Sequence, residues 1–231
     1  MSSASRTELK KETHIGHINT RYLLNKVHEI AILLKDSKID ILGISETHLN
    51  PTHDDSLFLI PNHVFYRKDS KSKVGHTGMC VYINSSIAPF VKRRYDLESE
   101  KIESIWLELK TSHASPVLIG FVYRHPSEPI CWYDTFHDLL DNTCLKNRKL
   151  LLLGDFNIDE NSSIHPLWQA TKDIYSLKQL VTTCTRIDPR TGSSTLLDHI
   201  YTNSKEHVVN IHTWSVSFSD HNPISCSLSI T

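Results

Sequence analysis

What most constrains this chain is a set of strand-length, largely apolar runs without regular alternation: IDILGI at residues 39–44, broken only by Asp40, VLIGFVY at 117–123 and LLLL at 150–153. A strand with one face in water alternates apolar and polar residues, so a strand that does not alternate has to be covered on both faces. Each run then ends abruptly in polar residues. The first gives way to Ser45-Glu46-Thr47-His48, the second ends in Tyr123 before Arg124-His125-Pro126, and the third breaks at Gly154 into Asp155, Phe156 and Asn157. A further segment, TLLDHIY at 195–201, carries Asp198 within it. Rigid buried strands that deliver carboxylates, an amide and a phenol to the rim of a core position such groups better than loops do.

The rest of the chain fits around these strands. A short strand is expected at 13–19, and residues 21–34 place Leu23, Leu24, Val27, Ile30, Ala31 and Leu34 on one helical face. Strands are expected at 64–66 and 79–83, separated by a basic loop containing glycine, and at 102–109, which alternates. A helix over about 130–145 would turn Trp132, Phe136, Leu139 and Leu140 inward, and another over 166–181 starts with a favourable first-turn proline. The last strand, 224–230, alternates. Strands outnumber helices, which predicts an α/β fold of two packed sheets flanked by helices. With 231 residues one core suffices, so a single domain over 13–231 is expected behind a polar, basic, flexible tail at 1–12.

Composition narrows the function. No apolar run approaches the roughly 20 residues that span a bilayer, so no membrane role is expected, and the tail lacks the apolar stretch of a secretory signal. The five cysteines (Cys80, Cys131, Cys144, Cys184, Cys226) are odd in number and form no C-x-x-C pair. They suggest neither a disulfide framework nor a zinc knuckle, and a reducing, intracellular compartment fits best. A net charge of −1 argues against indiscriminate coating of nucleic acid. Two local basic patches, Arg67-Lys68 with Lys71 and Lys73, and Lys92-Arg93-Arg94, are either solvated loop charges or phosphate contacts. No P-loop, dinucleotide fingerprint or G-x-S-x-G elbow is present.

Glu46, Asp155, Asp198 and Asp220 are enough oxygen donors for a divalent magnesium site, which often uses one or two protein carboxylates plus phosphate and water. Taken singly, an acid after a strand caps a turn or a helix. Recurrence at several strand ends, together with Gly154, Asn157 and His221, points instead to one site at the edge of a sandwich. His221 follows Asp220 directly, and an imidazole there can donate to a phosphoryl oxygen or help activate water. With 15 histidines, an acid-His dipeptide also arises by chance. The pairs His14/His17 and His48/His53 read as members of polar segments without a matching ligand set, so zinc is not supported.

GDFN at 154–157, SDHNP at 219–223, ISETHL at 44–49 and Asn19 at a strand end resemble the endonuclease/exonuclease/phosphatase superfamily. The longer phrases INTRYLLNKVHEI, GHTGMCVYI, VYRHPS, LLLLGDFNID, TRIDPRTGSSTLLDHIYTN and SDHNPI are similar to the apurinic endonuclease-like endonuclease domain of non-LTR (LINE-type) retrotransposons, from about residue 13 to the end. The resemblance implies a four-layered α/β/β/α sandwich with two mixed β-sheets flanked by helices. It also implies a DNA endonuclease dependent on magnesium, with manganese able to substitute, that nicks one strand and leaves a 3′-hydroxyl to prime target-site reverse transcription. Double-stranded DNA and a reverse transcriptase domain of the same longer polyprotein are the implied partners. The chain stops at Thr231, just after its last expected strand, as an excised domain would, and the site of action would be nuclear.

Residue by residue, the resemblance makes Glu46 the principal metal ligand, with Asn19 beside it and Asp220 supporting the metal side. Asp155 would orient or deprotonate the attacking water, Asn157 would hold the scissile phosphate and Tyr123 would stabilise the phosphate or leaving oxygen. His221 would bind the phosphate in the transition state, with Asp198 fixing and charging its ring. Thr185, Thr195, Arg186 and Arg190 would contact DNA, the segment RIDPRTGSS at 186–194 forming a protruding hairpin. One departure stands out: many members carry Tyr-x-x-Asn where this chain has Tyr123-Arg124-His125-Pro126. Two other readings are an abasic-site repair endonuclease or phosphoesterase of the same superfamily, and a DNA-binding module without catalysis.

Overall fold

The computed structural model describes residues 12–69, 77–110, 115–142, 148–162 and 164–229. In chain order the described elements are β1 (Glu12–Asn19), α1 (Val27–Ser37), β2 (Ile41–Ser45), β3 (His63–Lys68), β4 (Met79–Asn84), β5 (Val91–Arg93), β6 (Glu103–Leu109) and β7 (Val117–Tyr123). There follow α2 (Cys131–Asn142), β8 (Lys149–Asp155), α3 (Pro166–Ile174), β9 (Lys178–Gln179), β10 (Arg186–Ile187), β11 (Ser194–Thr195), β12 (Asp198–Thr202), β13 (Val208–Thr213) and β14 (Ile224–Ser229). One six-stranded sheet has the order β13-β14-β1-β2-β4-β3 and the other β5-β6-β7-β8-β12-β9, while β10 and β11 form a separate two-stranded ribbon. Both large sheets are mixed: β1 and β2 run parallel, as do β7 and β8, and the other pairings are antiparallel.

Successive side chains of a strand point to opposite faces, and this sorts the core into three layers. Ile15, Ile41, Val81, Ile105, Phe121, Leu151 and Leu153 meet between the sheets. Ile18, Leu42, Ile44 and Tyr82 face α1 through Ile30, Leu33 and Leu34. Trp106, Leu118, Val122, Leu150 and Leu152 face α2 and α3 through Trp132, Phe136, Leu140 and Trp168. The non-alternating runs are thus covered on both faces, and the architecture is the expected four-layered α/β/β/α sandwich. The two sheets approach closely where Gly43 lies against Phe121, because a Cβ at Gly43 would come within 2.0 Å of the Phe121 ring.

Several boundaries differ from the sequence reading. α1 begins at Val27 rather than 21, because Arg21 and Tyr22 have φ values of 48° and 120°, outside the helical region. The backbone there does other work: the amides of Tyr22 and Leu23 donate to the carbonyls of Glu46 and Thr47, tying the chain after β1 to the chain after β2. Leu23 is consequently buried while Leu24 is exposed. α3 ends at Ile174, where the chain turns through Ser176 (φ 53°) into β9, a strand on the edge of its sheet. The expected strand 195–201 is split in two, since the chain leaves the ribbon after Thr195 and joins the large sheet at Asp198. β13, a bulged edge strand, carried too little alternation to be recognised.

Four cations of the two basic patches are engaged within the protein. Arg67 pairs with Asp55 and Asp69, and Lys68 Nζ donates to the carbonyls of Ser99, Ile102 and Ser104. Arg93 grips Glu98 with two hydrogen bonds and Arg94 pairs with Asp96 and Glu108. Lys71, Lys73, the loop between β3 and β4, Cys144 and most of the tail lie outside the described residues.

Candidate active site

Strand register brings the chemistry together. Tyr123 pairs with Asp155 across the parallel β7–β8 ladder, and Asp155 pairs with Asp198 across the antiparallel β8–β12 ladder, so the three stand in one row at the strand ends. By the period of two, Asp155 shares the inner face with Leu151 and Leu153, and Asn19 shares it with Ile15 on the other sheet. The two sheets therefore present their polar ends to each other. Asn19 spans them: its Nδ2 donates to Glu46 Oε1 at 2.8 Å and to Asp155 Oδ2 at 2.9 Å. The Tyr123 hydroxyl donates to the same Glu46 oxygen at 2.9 Å.

His221 completes the array from the C-terminal segment. Its Nδ1 lies 2.8 Å from Asp198 Oδ2 and 3.9 Å from Asp155 Oδ2. The segment is held where it must be: Ser219 Oγ donates to the Asn19 carbonyl at 2.7 Å and accepts from the His221 amide at 3.1 Å. Asn157, at φ 48°, folds back so that its amide donates to Asp155 Oδ1 and its Nδ2 to the Arg124 carbonyl. Glu46 (φ 50°) and His48 (φ 57°) also adopt left-handed backbone, as do Arg21 and Tyr22. Such conformations in non-glycine residues cost free energy and concentrate where a site needs them.

The electrostatics follow from crowding acids under cover. Burial, and then the charge of Asp198, push the Asp155 carboxyl up to about 7, against the opposing pull of His221, Asn19 and the Asn157 amide. Burial also works against ionised Asp198, but the charge and hydrogen bond of His221 hold it below the usual carboxylate range. Burial pulls His221 down, and Asp198 and Asp155 together overcome it, leaving the imidazole raised to about 9. Burial and the neighbouring Glu46 keep Tyr123 far above the ordinary phenol value, hence protonated. The site thus holds a carboxyl that titrates near neutrality, an imidazolium and a phenolic donor within one hydrogen-bonded group.

Asn19, Glu46, Tyr123, Asp155, Asn157, Asp198 and His221 are therefore assembled as their strand ends suggested. Three expectations change. Asp220 sits on the rim with its Oδ2 shared between Arg21 Nη1 at 3.0 Å and Arg186 Nε at 3.2 Å, so two guanidinium groups already neutralise it. Thr185 is fully buried in the structure, and its hydroxyl accepts from the amides of Leu197 and Asp198 at 3.1 and 2.9 Å. It supports the backbone where the chain changes sheets, a place that would otherwise leave those amides unsatisfied. Arg186 is committed to Asp220, whereas Arg190 lies at the turn of the ribbon with its side chain 88% exposed. The 186–195 hairpin forms as expected, with Arg186 opposite Thr195, which is half-buried.

Two histidines were missed. His17 is fully buried on the inner face of β1, its Nδ1 3.6 Å from Asp198 Oδ1, in a stretch that reads as polar in sequence. His48 lies near Glu46, Nε2 to Oε2 being 3.9 Å, and meets the Tyr22 ring edge-on. Only the strand register of β1 and the turn after β2 reveal them.

Among the described residues, one group of three acid or imidazole ligand atoms lies mutually within 4.8 Å, Asp155, Asp198 and His221. Glu46 is the partly open carboxylate, lining with Arg21, Lys26, His48, Ile187 and Asp220 a cleft of about 770 Å³. The cleft is lined by the carboxylates of Glu46 and Asp220 and by the Asn222 amide, without thiolate, which suits a hard divalent cation.

The family model for the endonuclease/exonuclease/phosphatase family matches residues 17–221. The chain belongs to this family. As an endonuclease/exonuclease/phosphatase family hydrolase it shares its fold with solved structures of low sequence identity. The AP endonuclease LMAP from Leishmania major superposes with a TM-score of 0.79 at 16% identity, covering 95% of this chain and 88% of that one. The endonuclease domain of TRAS1, a telomere-specific non-LTR retrotransposon, gives 0.72 at 15% identity, covering 95% and 99%. A 3′ phosphatase from Neisseria bound to product DNA hairpin gives 0.71 at 17% identity, covering 94% and 99%. A search of curated proteins finds no match.

Proposed function

We propose that this chain is a magnesium-dependent DNA endonuclease that hydrolyses one phosphodiester of a duplex and leaves a 3′-hydroxyl, the nicking domain of a non-LTR retrotransposon. The observation that carries the chemistry is the continuous array in which Asn19 and Tyr123 converge on Glu46, Asn19 continues to Asp155, and His221 is set against Asp198. An array spanning both sheets makes a preorganised site, and preorganised charge and positioning supply most of the gain in phosphoryl chemistry.

In this reading Asp155 takes the proton of a water as that water attacks phosphorus. His221, with Nδ1 engaged by Asp198, donates through its other nitrogen to a non-bridging phosphoryl oxygen. Asn157 has a second amide hydrogen for the phosphate, and Tyr123 donates toward the phosphate or the departing oxygen. The bond from phosphorus to O3′ breaks, the water oxygen stays on the 5′-phosphate, and the departing oxygen takes a proton from solvent to leave as the 3′-hydroxyl. Glu46 with Asn19 would hold magnesium, or manganese in its place, and the bound ion would supply neutralisation of phosphate charge. Pro126 cannot supply an amide, so any leaving-group contact in place of the family asparagine comes from elsewhere.

The retrotransposon branch is supported by the TRIDPRTGSSTLLDHIYTN and LLLLGDFNID wording and by the ribbon standing beside the cleft. Double-stranded DNA would be the substrate, a reverse transcriptase domain of a longer polyprotein the user of the 3′-hydroxyl, and the nucleus the place. Likeness to AP endonuclease structures favours a second reading, abasic-site repair. Rates on intact duplex, abasic duplex and soluble phosphoesters separate them: cleavage of intact duplex at a rate comparable to abasic duplex supports the proposal, and strong preference for abasic DNA or for small phosphoesters overturns it.

A further inference from the structure

His17 precedes Asn19 by two residues on β1 and therefore shares its face, in the layer where Ile15 and the other inner residues are apolar. The side chain is fully buried, and neither ring nitrogen has a hydrogen-bond partner among the described residues. Asp198 is also fully buried, and its Oδ1 likewise has none. These two unsatisfied groups face each other, His17 Nδ1 standing 3.6 Å from Asp198 Oδ1, a few tenths of an ångström beyond a hydrogen bond. The other oxygen of the same carboxylate holds His221 at 2.8 Å. Core packing alone gives no reason for an imidazole at this position, and an unpaired buried donor facing an unpaired buried acceptor is rare in folded proteins.

We propose that His17 is a positioning residue for the Asp198–His221 pair: its Nδ1–H donates to Asp198 Oδ1 and fixes the carboxylate so that Oδ2 addresses His221. This rests on the nuclease reading above. With Oδ1 unheld, the carboxylate can rotate about its last torsion and carry the His221 ring with it; a donor on each oxygen removes that freedom. A neutral imidazole carries one N–H donor, which is all that the open Asp198 oxygen requires. The contact also runs from β1 of one sheet to β12 of the other, so it sets the spacing of the sheets at the point where their polar ends meet.

Two measurements on the intact chain test this. Long-range proton–nitrogen NMR of the protein labelled in histidine reads the tautomer of His17 directly. The expected result is a proton on Nδ1; a proton on Nε2, the form an unconstrained neutral imidazole prefers, overturns the assignment. In plasmid nicking, His17→Phe fills the space without a donor and should lower kcat by about 10-fold to 100-fold, the range ordinary for groups that orient a reacting residue, with KM for DNA unchanged. His17→Asn places an amide nitrogen where Nδ1 lies and should recover most of the loss. A folded His17→Phe protein with parental kcat, a loss confined to KM, or no recovery in His17→Asn each overturns the proposal. If His17→Phe does not fold, the tautomer decides. A parent chain that does not nick DNA would refute the nuclease reading and leave the tautomer result standing.

Discussion

Asp155 and Asp198 face each other in register across the β8–β12 ladder, two carboxylates directly opposed on antiparallel strands. Like charges in that relation repel, and the site absorbs the conflict by giving the two acids different roles. Asp198 stays ionised against His221 while Asp155 is pushed up to about 7, and His221 is raised to about 9. A base ready near 7 and a cation lost near 9 predict a bell-shaped rate profile, rising through about pH 7 and falling above about pH 9. Asp198→Asn removes the main influence that raises His221, so the alkaline limb should move to lower pH in steady-state nicking. A flat profile from pH 5 to 10, or an unmoved alkaline limb in the variant, contradicts these assignments.

Gly154 predicts a steric result. A Cβ there would lie 1.8 Å from the Val122 carbonyl oxygen, its ladder partner on β7. That neighbour is backbone and cannot step aside, so Gly154→Ala should pry β8 from β7 one residue before Asp155. The expected loss is of the order of overpacking, about 1–3 kcal/mol or more, seen as a lowered Tm, together with loss of nicking in the folded fraction. A variant with parental Tm and activity would mean the ladder is looser here than the geometry states.

Much of this was legible before the structure. Runs such as VLIGFVY and LLLL have no polar face to lose, so their burial on both sides, and the polar ends they carry, follow from sequence alone. Where a signal depends on two distant segments, sequence failed. Residues 21–26 carry a helical apolar pattern, yet tertiary hydrogen bonds to Glu46 and Thr47 pull their backbone out of the helix. Thr185 resembles a surface hydroxyl until the sheet change at Leu196 and Leu197 is seen to need an acceptor. His17 sits in a polar-looking THIGHIN stretch, and its burial comes from the opposing sheet.

Glu103, the ladder partner of Tyr123, gives a pH dependence of stability. Burial, with smaller contributions from Glu46 and Glu128, raises its pKa from 4.5 to about 7, although the Gly78 amide and Lys68 oppose this. A pKa raised on folding means the native state holds the proton more tightly, so the contribution is full below about 4.5 and is lost as pH rises through 7. The loss is up to about 3 kcal/mol at 1.36 kcal/mol per pKa unit. Glu103→Gln should flatten the fall in denaturant-measured stability between pH 4.5 and 7.5 relative to the parent; parallel curves would contradict it.

Arg190 and Thr185 should separate DNA contact from support. Arg190→Ala, which removes an exposed cation at the ribbon turn, should weaken duplex binding and reduce the slope of log affinity against log salt by about one. Thr185→Val, which leaves the Leu197 and Asp198 amides without an acceptor, should cost roughly 1–3 kcal/mol of stability and leave that slope unchanged. The reverse pattern would return Thr185 to the DNA interface.

The most direct measurement is nicking of supercoiled plasmid with and without magnesium, followed by polymerase extension from the ends produced. The account predicts open circles only with the cation, ends that extend without pretreatment because they carry 3′-hydroxyls, and a loss of about 10³-fold or more in Asp155→Ala and His221→Ala. No nicking, ends that fail to extend, or nicking undiminished in both variants would contradict it.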